Sequence, residues 1–305
     1  MEKHKIGWTN WLVLFLLGGI WGSSFILMKI AARSLDAYEI AALRMSFAGI
    51  FVLYPFFCLI RRIRLKIFLW IVTAALLGSG IPSIFFGIAS SKIDSNINGV
   101  INSLTPIFTL AFSLIWIKQK TSKLSILGLF IGLFGVMILL FQRSMSTENI
   151  YFAIFPLLAT CMYGMNINLV KEKLSQLPSM DILAGVFGTM ILIALPYLVY
   201  RGTFLGFDWS MIQFNFWHLS DNYTQQHVNS IVATFILGAM GSAFSSYIFY
   251  FLLKRTNALF SSMNTYLIPL MSIFWGYLDG ESIGWIHFLS LIIILTGVYL
   301  VSKRR

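Results

Sequence analysis

Hydrophobic and polar positions along this chain alternate on the scale of whole helices. Apolar runs are separated by short polar or charged breaks, and ten runs come out: roughly 11–31, 38–60, 67–90, 96–117, 124–141, 150–170, 179–200, 229–253, 256–278 and 285–302. A hydrocarbon core about 30 Å thick takes about 20 helical residues to cross, so each run is long enough for one crossing. The pattern predicts an all-α integral membrane protein of ten transmembrane helices. One run is not uniformly apolar. Within Asn98–Lys120, residues Asn98, Asn102, Thr105, Thr109 and Ser113 recur at steps of four, three, four and four. That spacing puts all five on one helical stripe. Pro106 sits amid them and is expected to bend or break the helix, because it lacks a backbone donor. Such a helix faces something other than lipid. The pattern returns 163 residues later as Ser261, Thr265, Ile268 and Ser272 around Pro269.

Other segments repeat as well. Trp21–Lys29 aligns with Tyr163–Lys171 at an offset of 142, Gly78–Ser83 with Gly241–Ser246 at 163, and Gly135-Val136 with Gly297-Val298 at 162. The offset grows because a long connection, 201–228, stands where the first half has the short Arg61–Lys66 segment. The chain therefore divides into residues 1–145, holding five spans, and 146–305, holding five more. Five is odd, so the second half is expected to enter the membrane upside down. Inverted repeats with polar, proline-broken helices at mid-membrane point to a secondary transporter with its site at the repeat interface.

Composition supports a lipid solvent: 58% of residues are hydrophobic and 11% charged, against about 25% charged in soluble domains. The net charge of +11 would suit nucleic acid, but its placement does not. With the N-terminus inside, 16 of the 22 lysines and arginines fall in cytoplasmic segments, and Arg33, Lys92, Arg143 and Arg201 fall outside. This bias predicts a multi-pass protein of the plasma membrane (the bacterial inner membrane), with both termini cytoplasmic. The bilayer is its partner and nucleic acid is not. Acids gather on the outer side at Asp36, Asp94, Glu148, Asp208, Asp221, Asp279 and Glu281. The first apolar run is too long for a signal-peptide core. Cys58 and Cys161 lie in apolar runs without a CxxC partner, so no disulfide, metal or cofactor is expected. The four histidines show no ligand spacing. The 201–228 loop carries Trp209, Phe214, Phe216 and Trp217, and is read equally as an interfacial segment or a floppy insertion. Asn222-Tyr223-Thr224 is a formal glycosylation sequon, meaningful only in a eukaryotic secretory pathway.

Stripes and repeat symmetry together place a substrate cavity on spans 1, 3, 4, 6, 8 and 9. Trp21 and Ser24 have Tyr163 and Asn166 as repeat mates. Ser79, Ser83 and Phe86 have Ser242, Ser246 and Phe249. Asn98, Asn102 and Thr105 supply the fourth span, and Thr265 the ninth. Polar side chains here would hydrogen-bond a small molecule while the aromatics shape its pocket. For any single serine, gluing helices together is the competing reading. Arg44 lies within the second span and is read either as an anchor for a substrate carboxylate, or as snorkelling outward or pairing with Asp36 or Glu39. Lys29 is open to the same readings. No Asp or Glu falls in the middle third of any span, so a proton relay is not expected, and transport would run down gradients or by exchange. Neither a nucleophile–base pair nor a metal set occurs at mid-membrane, which argues against an enzyme. Gly18-xxx-Gly22 and Gly128-xxx-Gly132 permit close helix approach, within one chain or at a homodimer seam on spans 5 and 10. Monomer and homodimer both stay open.

Trp21-Gly22-Ser23-Ser24 followed by Lys29, Ala41-Ala42-Leu43-Arg44, Leu104-Thr105-Pro106, and Leu278-Asp279-Gly280-Glu281 with Gly297-Val298 together resemble the drug/metabolite transporter superfamily, ten-helix EamA-like type. The resemblance covers nearly the whole chain. It implies a ten-helix inverted-repeat carrier, commonly an inner-membrane exporter of amino acids or related metabolites. One departure stands out: the Gly-Glu pair that often follows the fourth helix reads Ile117-Lys118 here, so a coupling role for that acid does not carry over to the first half. The leading expectation is an exporter of amino acids or other small metabolites, working by alternating access. The alternatives are a drug or cation exporter and a non-transporting sensor or scaffold.

Overall fold

The computed structural model describes residues 7–93, 95–118, 122–141, 150–203, 223–278 and 284–302. Most of the 201–228 connection with its four aromatics, Asn222, Gln119-Lys120, and the acids Asp94, Glu148, Asp208, Asp221, Asp279 and Glu281 lie outside the described residues. All described elements are helical. Ten spans follow one another. They are α1 (Trp8–Ala31), α2 (Ala37–Ile50, then Leu53–Ile60), α3 (Leu65–Ser90), α4 (Ser95–Asn102, then Thr105–Ile117) and α5 (Lys123–Phe141). The second five are α6 (Tyr151–Leu174), α7 (Ser179–Arg201), α8 (Gln225–Arg255), α9 (Ala258–Ser262, Met263–Tyr266, Ile268–Leu278) and α10 (Trp285–Ser302). Large apolar side chains stand outward, among them Tyr200 at 87% and Phe130 at 65% exposure, as a lipid solvent allows.

The second span, expected to be one helix, is bent by 76°. Pro55 has no N–H for the Phe51 carbonyl, and Val52 N instead turns back to Gly49 O at 3.0 Å, so the helix breaks where its ladder loses a rung. In α4 the break falls at Ser103-Leu104, just ahead of Pro106. Pro106 leaves the Asn102 carbonyl without its helical donor, and the Thr105 hydroxyl donates to it at 2.7 Å. In α9 Pro269 does the same to the Thr265 carbonyl. There the Ser103 hydroxyl, shared with Gly99 O, donates at 3.0 Å. The two broken helices are thus tied at their breaks. Both prolines act as expected, and the freed groups find partners inside the protein, as lipid requires.

Glycines set the close contacts, and the same contact occurs twice. A Cβ on Gly22 would lie 2.6 Å from Met271 Cβ, and one on Gly164 would lie 2.6 Å from Phe108 Cβ. Gly22 and Gly164 are repeat mates, and so are Phe108 and Met271. Each half's first helix therefore docks on the other half's broken helix. Gly49 likewise lets α2 approach α7, where a Cβ would sit 2.8 Å from Phe187 O. Gly297 of α10 approaches the Gly128 carbonyl and the Gly132 backbone of α5. The glycine faces of α5 and α10 are therefore packed against each other within one chain.

Polar ties close the ends. Asp36 and Glu39 form a capping box at the start of α2, which fixes the first turn. Arg201 at the far end of α7 pairs with Asp36 at 2.7 Å, and Asp181 at its near end pairs with Arg62 at 2.6 Å. Lys171 Nζ donates to the Leu253 and Thr256 carbonyls at 2.6 and 2.7 Å, capping the end of α8, where a cation complements the helix dipole.

Candidate functional site

Where α1, α3, α4, α6, α8 and α9 converge they enclose a cavity of about 100 Å³, to which α2 adds Arg44 and α7 adds Phe187. Two local devices open it. The stretches Leu76–Gly80 of α3 and Ala239–Phe244 of α8 are π-helical turns at matching repeat positions. A π turn inserts one residue, loosens the ladder and frees a carbonyl, and such turns cluster at functional sites. Gly78 and Gly241 sit inside them and line the cavity. The space at Gly78 is taken by the Asn166 amide, and a Cβ at Gly241 would come 2.9 Å from Ser24 Oγ.

The freed carbonyl of Gly241 is a hub. Trp21 Nε1 donates to it at 2.9 Å and to Ser245 Oγ at 2.9 Å. The Ser245 hydroxyl donates to the same carbonyl at 2.7 Å. Arg44 Nε donates to Ser242 Oγ at 2.6 Å, and its Nη2 reaches Gly241 O at 3.5 Å. Of the two sequence readings that paired or exposed Arg44, neither holds: Arg201 occupies Asp36 and Glu39, and Arg44 turns inward to α8. A guanidinium carries five N–H donors, so most of its fork is left for the cavity. Among the described residues that line it, Arg44 alone carries a formal charge.

Aromatic rings form much of the remaining wall. Phe86 stacks on Tyr163 at 6.0 Å and 19°, Phe25 meets Phe86 at 5.4 Å, and Trp21 meets Phe249 at 5.4 Å. The polar remainder comes from both halves: Ser24, Ser79, Asn102 and Thr105 from the first, and Asn166, Ser242, Ser246, Asn264 and Thr265 from the second. The arrangement offers one cation, several amides and hydroxyls, and flat apolar faces, and it can hold a small polar molecule away from lipid.

Of the substrate-contacting residues expected from the sequence, Ser83 and Asn98 stay outside the cavity, and so does Lys29, the alternative anchor. Ser83 is buried at 1% exposure. Phe86, one turn further along the same helix, lines the cavity while Ser83 stays packed between helices. Asn98 is fully buried and donates from Nδ2 to Ser90 Oγ at 3.2 Å. Asn98 lies one turn before Asn102 in the same helix segment, and its amide is spent on α3 rather than on the cavity. Sequence reasoning missed Phe25, Met28, Gly78, Ile167, Phe187, Gly241, Tyr250 and Asn264. The apolar ones carry no signal in an apolar helix. Asn264 falls in the 3₁₀ turn Met263–Tyr266, off the α-helical spacing by which the stripe of Ser261 and Thr265 was read.

The chain is similar in sequence and fold to known proteins. The model of the EamA-like transporter family matches it twice, over residues 9–141 and 150–303. An uncharacterized transporter of Archaeoglobus fulgidus is 24% identical over 298 residues, covering 97% of this chain and 99% of that one. The uncharacterized inner membrane transporter YedA of Escherichia coli K12 is 26% identical, with 96% and 90% covered. Protein PagO of Salmonella typhimurium is 24% identical, with 96% and 93% covered. A solved crystal structure superposes with a TM-score of 0.67 over 96% of each chain at 14% identity, which shows a shared fold. With two matched segments spanning nearly all of its length and ten helical spans around one cavity, the chain belongs to the EamA-like transporter family and is a membrane transporter.

Proposed function

We propose that this transporter is a secondary carrier that exports amino acids or closely related small metabolites by alternating access around the central cavity. The observation that carries the reading is Arg44, the one formal charge among the described lining residues, moored on the π turn of the opposite half. A half-buried guanidinium with free donors favours a carboxylate. It disfavours a cation, so the drug or cation reading is the weaker one. The two halves are taken as inverted repeats in a bacterial plasma membrane, with both termini cytoplasmic, in keeping with the charge bias and with the twice-repeated helix contacts. No Asp or Glu lines the cavity among the described residues, so transport needs no intramembrane carboxylate switch. Inside-out vesicles loaded against a pooled metabolite set test this. Export of one or more carboxylates is expected, with the rate unchanged when the proton gradient is collapsed at a fixed substrate gradient. Arrest on collapsing that gradient would reject the uncoupled mechanism.

A further inference from the structure

Asn264 and Tyr266 in the broken helix α9 both carry buried polar atoms without a protein partner, and of the two Asn264 lines the cavity. It sits in the 3₁₀ turn Met263–Tyr266. Its carbonyl accepts from Leu267 N at 3.0 Å, close against Gly18 of α1. The neighbouring Thr265 is fully engaged, its hydroxyl donating to Ser262 O at 2.8 Å and its carbonyl accepting from Ser103. The Asn264 side chain is different. It is 0% exposed, it lines the cavity, and no protein group reaches either Oδ1 or Nδ2. An unpaired buried donor and acceptor are costly, and in a membrane bundle water does not relieve them freely. The repeat mate in the first half, by the 163-residue offset, is Ile101, which is buried and does not line the cavity. The amide is therefore not part of what both halves need in order to fold or break their helices.

We propose that Asn264 is a specificity-determining residue. Resting on the reading of this cavity as a substrate site, its amide pairs with a substrate group that both donates and accepts. The ligand class is a small monocarboxylate whose far end bears a carboxamide or an equivalent donor–acceptor pair. Its carboxylate meets Arg44, and its amide meets Oδ1 and Nδ2 of Asn264 side by side. A site built to hydrogen-bond such a group rejects the analogue that lacks it, because its own buried groups are then left unpaired.

The test uses the purified full chain and three probes of similar size: succinamate, which has a carboxamide, levulinate, which only accepts, and pentanoate, which is apolar. Ligand-dependent thermal stabilisation reads binding without needing transport. In the wild type, succinamate should bind at least about tenfold more tightly than either analogue. Asn264→Leu should bind all three alike. Its ligand-free form should unfold at no lower a temperature than wild type, since an unpaired buried amide has been removed. Asn264→Asp, which keeps the shape but loses the donor, should also lose the succinamate preference. The proposal is overturned if the wild type does not prefer succinamate, if the preference survives in either variant, or if Asn264→Leu is destabilised or fails to fold. The last result would assign the amide a structural partner. If succinamate binds with the expected ranking yet no probe crosses in proteoliposomes, the transport reading falls and the role of Asn264 stands. If pooled metabolites are carried but the ranking is absent, the reverse holds.

Discussion

Arg44 shows what one residue in a membrane interior does for the rest. Its charge is costly there, and the structure holds it on Ser242 and the Gly241 carbonyl rather than at the surface. Hydrogen bonds to a charged group are worth about 1.5–3 kcal/mol, so Arg44→Gln should lower the affinity for a carboxylate substrate by about tenfold or more while the protein still folds. A competition assay in proteoliposomes reads this directly, and unchanged affinity would remove Arg44 from the site. From the sequence, Arg44 was visible as a charge inside an apolar run, but its partner was not. The guess of Asp36 or Glu39 came from proximity along the chain. The actual partner comes from α8, across 198 residues, which only the packing reveals. Asn102 and Thr105 were legible from their stripe because they flank the break closely. Asn98, one turn earlier on the same stripe, donates to Ser90 instead, because a stripe marks a helix face but not which neighbour each turn of it meets.

At the scale of elements, the ten spans were readable because lipid forces each one to be a long apolar helix. The breaks at Pro106 and Pro269 were readable too, since proline removes a donor wherever it falls. The bend of α2 was not. Its run, 38–60, has the length of a single crossing and reads as one helix. The π turns leave no trace in composition, because one inserted residue changes the helical phase and not the chemistry. The end of α4 carries its own signature. Lys118 adopts φ 54°, in the left-handed region. A side chain there costs about 1–2 kcal/mol. Lys118→Gly should therefore stabilise the protein by roughly 1 kcal/mol, read as a rise in thermal unfolding temperature in detergent. A fall would mean that the lysine side chain contributes more than its backbone costs.

At the scale of the whole molecule, the halves are not side by side but interlocked. α1 lies on α9, α6 lies on α4, α2 is clamped to α7 at both ends, and α5 is closed against α10. The interlock follows from glycines. A Cβ on Gly297 would lie 2.5 Å from the Gly128 carbonyl oxygen and 2.6 Å from Gly132 N, and backbone cannot step aside as a side chain can. Gly297→Ala should cost about 1–3 kcal/mol, seen as a lower unfolding temperature, and no loss would show that α5 and α10 separate easily. The sequence indicated the repeat and the site between its halves, but not this interlocking, since alignment of the halves carries no information on which helix touches which. The central claim is that the cavity between them is a path for small carboxylates. Its most direct test is mass-spectrometric exchange of a pooled metabolite set by purified protein in proteoliposomes, run beside Asn102→Leu and Ser246→Leu, which replace one cavity wall from each half. The account predicts that the wild type moves at least one carboxylate and that each variant slows it at least about tenfold. Transport at the wild-type rate by both variants, or no movement of any metabolite by the wild type, would contradict it.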